Sequence, residues 1–95
     1  MSWWDAEYAC NAIGGKKLLS VDDLVTESDG TKWQGDTGYH TKTALAEELY
    51  NIWGDDYIWT KNLINDNRYP FNIGLDNGYV NNDRSSYNAY IAVCR

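Results

Sequence analysis

The sequence predicts a small α+β domain in which two helices pack on an antiparallel C-terminal sheet, with many loops between the elements. Apolar residues in the first half of the chain recur at helical spacing, whereas short alternating apolar runs occupy the second half. An Asn-Gly pair at residues 77–78, between two of those runs, is typical of a β-hairpin. Because the chain has only 95 residues, residues 1–95 are expected to form a single domain.

The first helix is predicted to begin after Ser2 and to end before Gly14. Ser2 and Asp5 have the spacing of a capping box, and the Gly14-Gly15 pair is typical of a helix C-terminus. The apolar residues of this segment fall on one helical stripe, which we expect to face the core: Trp3, Ala6, Cys10 and Ile13.

Two further helical segments follow. Ser20 and Asp23 repeat the capping pattern, which predicts a helical turn over 21–25. Thr43 is a suitable cap for the second long helix, and Gly54 is expected to end it. The apolar face of that helix is expected to consist of Leu45, Leu49, Ile52 and Trp53.

The polar stretch 26–42 is predicted to be a loop, because it contains three glycines and shows little periodicity. Trp33 is expected to anchor it. The only histidine of the chain, His40, lies in this stretch. A single histidine among polar loop residues is expected to be solvated rather than to act as a ligand or a base.

The second half of the chain is predicted to form strands separated by turns. Asn77-Gly78 forms the hairpin turn, while the polar stretches 62–68 and 83–86 are expected to form a loop and a second turn. The predicted strands cover 57–60, 71–75, the residues from 79 onward, and 89–93.

The two cysteines, Cys10 and Cys94, lie near opposite ends of the chain. An even cysteine count in a short chain favours a disulfide and an oxidising compartment. Because one cysteine lies on the first helix and the other at the end of the last strand, we expect them to be bonded. The alternative is a pair of buried, reduced thiols that pack as small apolar groups.

Composition argues against two kinds of partner. A net charge of −6 and a pI near 4.4 disfavour binding to nucleic acid. No apolar stretch reaches the length of about 20 residues that crosses a bilayer, and no signal peptide follows Met1. The domain is therefore expected to be the C-terminal part of a longer exported protein, at the cell surface, outside the cell or on a phage particle. A cytosolic protein with reduced thiols is the alternative.

Three motifs occur in order along the chain. They are Trp3-x-x-Ala6-x-x-x-Cys10 followed by Gly14-Gly15-Lys16-Lys17-Leu18-Leu19, then Tyr57-Ile58-Trp59-Thr60, and finally Tyr90-Ile91-Ala92-Val93-Cys94-Arg95. Together they resemble the C-type lectin-like domain, in the minimal form found at the ends of bacterial and phage proteins. The resemblance implies the same pairing of the helix cysteine with the final cysteine. It also implies a missing N-terminal strand, which would leave a sheet edge exposed.

The calcium motifs of sugar-binding members of this family are incomplete here. Those members use a Glu-Pro-Asn loop and a Trp-Asn-Asp strand, and Ca²⁺ needs six to eight oxygen ligands. Pro70 has neither a carboxylate nor an amide beside it, and Asn81 replaces the tryptophan before Asn82-Asp83. The resemblance therefore predicts a domain that folds and binds without calcium; a calcium-dependent carbohydrate-binding lectin remains an alternative.

The segment from 62 to 90 is rich in Asn, Tyr, Asp and Ser, the residues that binding loops favour. The pattern resembles the variable proteins of diversity-generating retroelements; an AT-rich genome and ordinary turns are the alternative explanation. We expect one exposed ligand-binding face formed by Tyr69, Asn72, Tyr79, Asn81, Asp83, Arg84, Tyr87 and Tyr90.

No catalytic motif accompanies this segment. The sequence has no nucleophile elbow, no phosphate loop and no spare cysteine pair, and its paired acids are expected to lie at helix ends. We predict a non-enzymatic recognition module, such as an adhesin or a receptor-binding tip, without cofactor or metal site. Its partner would be a protein or glycan on another cell surface. The alternative is a purely structural cap of a fibre or pilin-like protein.

Overall fold

The computed structural model describes residues 1–64 and 69–95, and the α+β class is confirmed in that part of the chain. Its helices are α1 (Trp3–Ala12), α2 (Val21–Leu24) and α3 (Ala44–Trp53). Its strands are β1 (Val25–Thr26), β2 (Gly38–Tyr39), β3 (Thr41–Lys42), β4 (Tyr57–Ile64), β5 (Tyr69–Gly74) and β6 (Tyr79–Asn82). None of the helices in these described ranges is long and apolar enough to cross a membrane.

The strands form two antiparallel sheets. β1 pairs with β3, and the larger sheet has the order β2-β6-β5-β4. The stretch 26–42 is therefore not only a loop, as predicted, because it contributes short strands to both sheets. Trp33 is the expected anchor: its ring packs edge-on against Phe71, with centroids 4.9 Å apart.

The strand β4 is longer than the sequence predicts. Its register with β5 shifts between Trp59 and Leu63, and the strand continues to Ile64. Residues 62–64, which were expected to begin a loop, are therefore extended. The rest of that predicted loop, Asn65 to Arg68, lies outside the described residues.

The predicted N-cap residues are confirmed, but of the two predicted capping boxes only the one at α2 is reciprocal in the described residues. The Ser2 hydroxyl accepts a hydrogen bond from the Asp5 backbone N–H at 3.2 Å, and Thr43 caps α3 in the same way. Ser20 and Asp23 form a complete, reciprocal capping box. Each long helix thus begins where its cap residue predicts.

The apolar stripes are only partly buried. On α1, Trp3, Ala6 and Cys10 are buried, but Ile13 is exposed because it follows the last helical residue. On α3, the buried residues are Ala46 and Leu49, with Leu45 packed against them. Contrary to the prediction, Ile52 and Trp53, in the last turn of α3, are exposed, and neither belongs to the two apolar clusters of the described residues.

The four-stranded sheet has an apolar layer on each face. On one face the cross-strand row Ile58, Ile73 and Val80 packs with α2 and α3. On the other face, Trp59 packs against α1. Because β5 is central and covered on both sides, its residues from 70 to 74 are all buried. The predicted alternation still holds for side-chain direction, since Phe71, Ile73 and Leu75 all belong to the cluster that packs with α2 and α3.

The predicted last strand is replaced by two isolated bridges. Ile91 pairs with Ile58 in a parallel sense, and Cys94 pairs with Leu18. Ile91 and Leu19 accept hydrogen bonds from β4, so they cover part of the β4 edge of the four-stranded sheet. The carbonyl of Tyr90 accepts a hydrogen bond from the Met1 amine at 2.7 Å.

The structure contains the disulfide between Cys10 and Cys94 that the sequence predicts. Their Cα atoms are 5.2 Å apart, within the range for a bridge. Cys10 is fully buried, and the bond fixes α1 to the end of the chain across a separation of 84 residues.

The Asp23→Ala substitution should destabilise the domain by about 1 kcal/mol at pH 7, since it removes the capping box. Burial raises the pKa of Asp23, but hydrogen bonds from Ser20 and the charges of Arg95 and Lys61 outweigh burial and lower it. A lowered pKa means that this stabilisation is complete above the unfolded value near 3.8 and is lost as the pH falls through the folded value.

Urea unfolding at pH 7 and pH 2.5 tests this pH dependence. The exposed Asp55→Ala control should change little, and an equal loss at both pH values would contradict the prediction.

Candidate functional site

Four of the predicted ligand-binding residues converge beside the loop that follows β6, residues 83–90. A surface depression of about 480 Å³ is lined by Asp83, Arg84, Ser86, Tyr87 and Asn88. A second, of about 330 Å³, is lined by Tyr69, Arg84, Ser85 and Ser86. The two depressions share Arg84 and Ser86, so they adjoin. We call this combined area the loop surface.

The aromatic residues of the loop surface are partly open to solvent. Tyr87 is 48% exposed and Tyr69 is 40% exposed. Arg84 is exposed between them, and its side chain has no ion-pair partner within the described residues. The loop surface therefore offers two aromatic rings and one exposed guanidinium to a partner.

A hydrogen-bonded network lies beneath the loop surface. The Tyr90 hydroxyl donates to Asp83 Oδ2 at 2.6 Å, and Asn72 Nδ2 donates to the same oxygen at 3.1 Å. Burial, and then the Asp83 carboxylate, raise the pKa of Tyr90 well above its usual value, so Tyr90 remains a donor at any physiological pH. Its ring also stacks on Tyr57 and meets the edge of Trp59.

Asn72 is therefore not an exposed contact residue, as the sequence analysis expected. It is completely buried, because β5 is central and Asn72 lies between Trp59 and Asn81 in the cross-strand register. Asn72 and Tyr90 support the loop surface from below.

Tyr79 and Asn81 lie apart from the depressions. Both are half-buried and alternate with the core residue Val80, so they share one sheet face, as their parity predicts. The Tyr79 ring packs edge-on against Tyr39 of β2, with centroids 4.7 Å apart. The predicted single face thus divides into the loop surface and a separate region on β6.

No protein-family model, curated protein or solved structure significantly matches this chain. The functional argument therefore depends on the residues of the domain itself.

Sequence reasoning missed a groove on the exposed side of α1. Its volume is about 570 Å³, and its lining comprises Trp4, Glu7, Tyr8, Asn11, Lys16, Lys17, Leu18 and Lys61. Trp4 is 52% exposed and Tyr8 is 77% exposed. The sequence does contain a pattern that indicates this groove. Trp4, Tyr8 and Asn11 recur at helical spacing, on a face of the helix next to the buried stripe.

The His40 side chain is buried, contrary to the expectation that it is solvated. Only 2% of its side chain is exposed, and Nε2 faces Asp36 at 3.2 Å and Glu27 at 3.7 Å. Its backbone N–H donates to the Gly78 carbonyl, so the pairing of β2 with β6 draws this residue onto the sheet. His40, followed by Glu27, lowers the pKa of the Asp36 carboxyl.

Proposed function

We propose that this domain is a non-enzymatic ligand-recognition module of the C-type lectin-like type, and that the loop surface is its contact site. The observation that carries the proposal is the convergence of Tyr69, Arg84 and Tyr87 around two adjoining depressions. Partly exposed Tyr and Arg side chains are the residues that most often dominate binding energy at interfaces.

The chemistry of the loop surface suits a polar ligand with an apolar side, such as a sugar ring. Tyrosine rings stack on apolar faces, and their hydroxyls form hydrogen bonds. Arg84 contributes several donors, while Ser86 and Asn88 add adaptable donors and acceptors. The partner we propose is a glycan or glycosylated protein on another cell surface, bound without calcium.

The loop surface is also preorganised, which favours binding because less conformational entropy is lost. Asp83 is fixed by Tyr90 and Asn72. The Ser85 carbonyl accepts a hydrogen bond from the Trp3 backbone N–H at 2.9 Å, which ties the loop to α1. The contact side chains therefore project from a backbone that is held at both ends.

The disulfide supports the wider assignment. A bond between the first helix and the end of the chain is the pairing that the resemblance to C-type lectin-like domains implies. Disulfides persist in oxidising compartments, which supports an adhesin or receptor-binding tip outside the cell.

Tyr87→Ala should weaken binding at least tenfold while leaving the melting temperature almost unchanged, because the Tyr87 side chain is half exposed. The oxidised domain, displayed as a labelled tetramer, is first tested on a panel of immobilised glycans in EDTA. The glycans that bind are then titrated against the monomeric wild type and variant by calorimetry.

Tyr8→Ala is the matched control, since Tyr8 is exposed but lines only the α1 groove. It should bind like the wild type. Loss of binding in Tyr8→Ala but not in Tyr87→Ala would move the contact site to α1. Failure to bind any glycan on the panel would contradict the proposed ligand class.

A further inference from the structure

Three potential metal ligands meet at a place that the recognition proposal does not use. Glu27, Asp36 and His40 each offer one ligand atom, and these atoms all lie within 4.8 Å of one another. The separations from His40 Nε2 are 3.2 Å to Asp36 Oδ2 and 3.7 Å to Glu27 Oε2. An acidic cluster alone would not indicate a metal site. The hydrogen bonding and burial of the His40 ring add an independent observation.

The proton on the His40 ring is positioned by the backbone. Nδ1 lies 2.7 Å from the Gly38 carbonyl oxygen. Because a carbonyl oxygen only accepts hydrogen bonds, Nδ1 must carry a proton, and in the neutral ring Nε2 then presents a lone pair. This arrangement, with one ring nitrogen held by a carbonyl and the other directed at a cluster of ligands, is usual for metal-binding histidines.

Only 2% of the His40 side chain is exposed. Nε2 is therefore buried, and it has no hydrogen-bond partner among the described residues. A buried ring nitrogen that faces two carboxylates without a well-formed hydrogen bond is unfavourable, and a metal ion between the three groups would remove this cost. Two carboxylates together carry a charge of about −2, which a divalent ion neutralises.

We propose that Glu27, Asp36 and His40 bind one divalent transition-metal ion, for which Zn²⁺ is the best match. With metal–ligand bonds of about 2.0–2.1 Å, neighbouring atoms of a tetrahedral site are roughly 3.3 Å apart, close to the separations from Nε2. An imidazole nitrogen favours Zn²⁺ over Ca²⁺ and Mg²⁺, which prefer oxygen ligands. A water molecule or a ligand oxygen would complete the coordination.

The surrounding chain holds the three ligands in place. The Gln34 backbone N–H donates to Glu27 Oε2 at 2.8 Å, and Trp33 Nε1 donates to the Asp36 carbonyl at 2.8 Å. The His40 backbone N–H donates to the carbonyl of Gly78, the residue before β6. The metal would therefore join the 27–36 segment to the sheet. This proposal replaces the expectation of no metal for these residues.

The chain is well suited to a direct test, because His40 is its only histidine and both cysteines are in the disulfide. Untagged, chelator-treated oxidised protein is titrated with zinc chloride by calorimetry. We expect one ion per chain and a rise in melting temperature of about 10 °C when zinc exceeds its Kd roughly 100-fold. In a long-range ¹H–¹⁵N spectrum, the single imidazole should show zinc-dependent movement of Nε2 while Nδ1 stays protonated.

Asp36→Asn should weaken zinc binding at least tenfold without unfolding the domain, since the Asp36 side chain is 56% exposed. Asp29→Asn is the matched control: it lies in the same segment and still accepts from Thr31, so its zinc affinity should equal that of the wild type. Calcium should give no comparable response. Absence of saturable zinc binding, or an imidazole doubly protonated at pH 7 and insensitive to zinc, would overturn the proposal in favour of a plain ion pair.

Discussion

Replacing both cysteines, Cys10→Ala with Cys94→Ala, should lower the free energy of unfolding by about 4 kcal/mol. The bond closes a separation of 84 residues, and cross-linking so long a loop removes much of the conformational entropy of the unfolded chain. A domain of this size has a net stability of about 5–10 kcal/mol, so the variant should be close to unfolding at 37 °C. Urea unfolding monitored by circular dichroism measures the difference.

Reduction provides the control for this experiment. Wild-type protein in excess dithiothreitol should unfold at nearly the same urea concentration as the double variant, and the variant itself should not respond to the reductant. If the reduced wild type were much more stable than the variant, the loss would come from packing around the buried Cys10 rather than from the cross-link.

Trp59→Ala should cost about 3–5 kcal/mol of stability. The Trp59 side chain is fully buried and packs with Trp3 and Cys10 in the cluster beneath α1. Its Nε1 donates to the Met1 carbonyl at 2.9 Å, so the substitution also removes a hydrogen bond to the N-terminal segment. Chemical unfolding, followed by the fluorescence of the remaining tryptophans, measures the loss.

Trp53→Ala is the matched control for Trp59→Ala. The sequence placed Trp53 on the buried face of α3, but the structure leaves it 49% exposed. We therefore expect a change of no more than about 0.5–1 kcal/mol. Comparable losses in the two variants would mean that the last turn of α3 packs against the core after all.

Features specified by neighbouring residues could be predicted from the sequence. Ser2 and Ser20 cap helices because the backbone N–H groups that donate to them lie three residues later in the chain. Gly78 adopts a positive φ of 69° in the turn that the Asn-Gly pair indicates. The cysteine pairing could be predicted for a different reason: with two cysteines in the chain, only one intramolecular pair is possible.

Features that depend on distant chain segments could not be predicted in the same way. The strand β2 consists of Gly38 and Tyr39 and exists because β6 supplies its hydrogen-bond partners. Likewise, burial of Asn72 depends on the neighbours of β5 in the sheet, and composition alone gave no indication of it. His40 was misjudged for the same reason, because its polar sequence neighbours conceal the contacts that bury it.

The disulfide also sets how far the domain can stretch under mechanical load. If the chain is pulled at Met1 and Arg95, the force passes from Cys10 to Cys94 through the disulfide. The residues between the two cysteines then carry no tension. At about 3.5 Å per residue, the reduced chain could lengthen to roughly 330 Å, whereas the oxidised chain could release only about 35 Å from the short ends. The cross-link would thus keep tension off the residues between Cys10 and Cys94, which include the loop surface, and the redox state would determine how far the domain can extend.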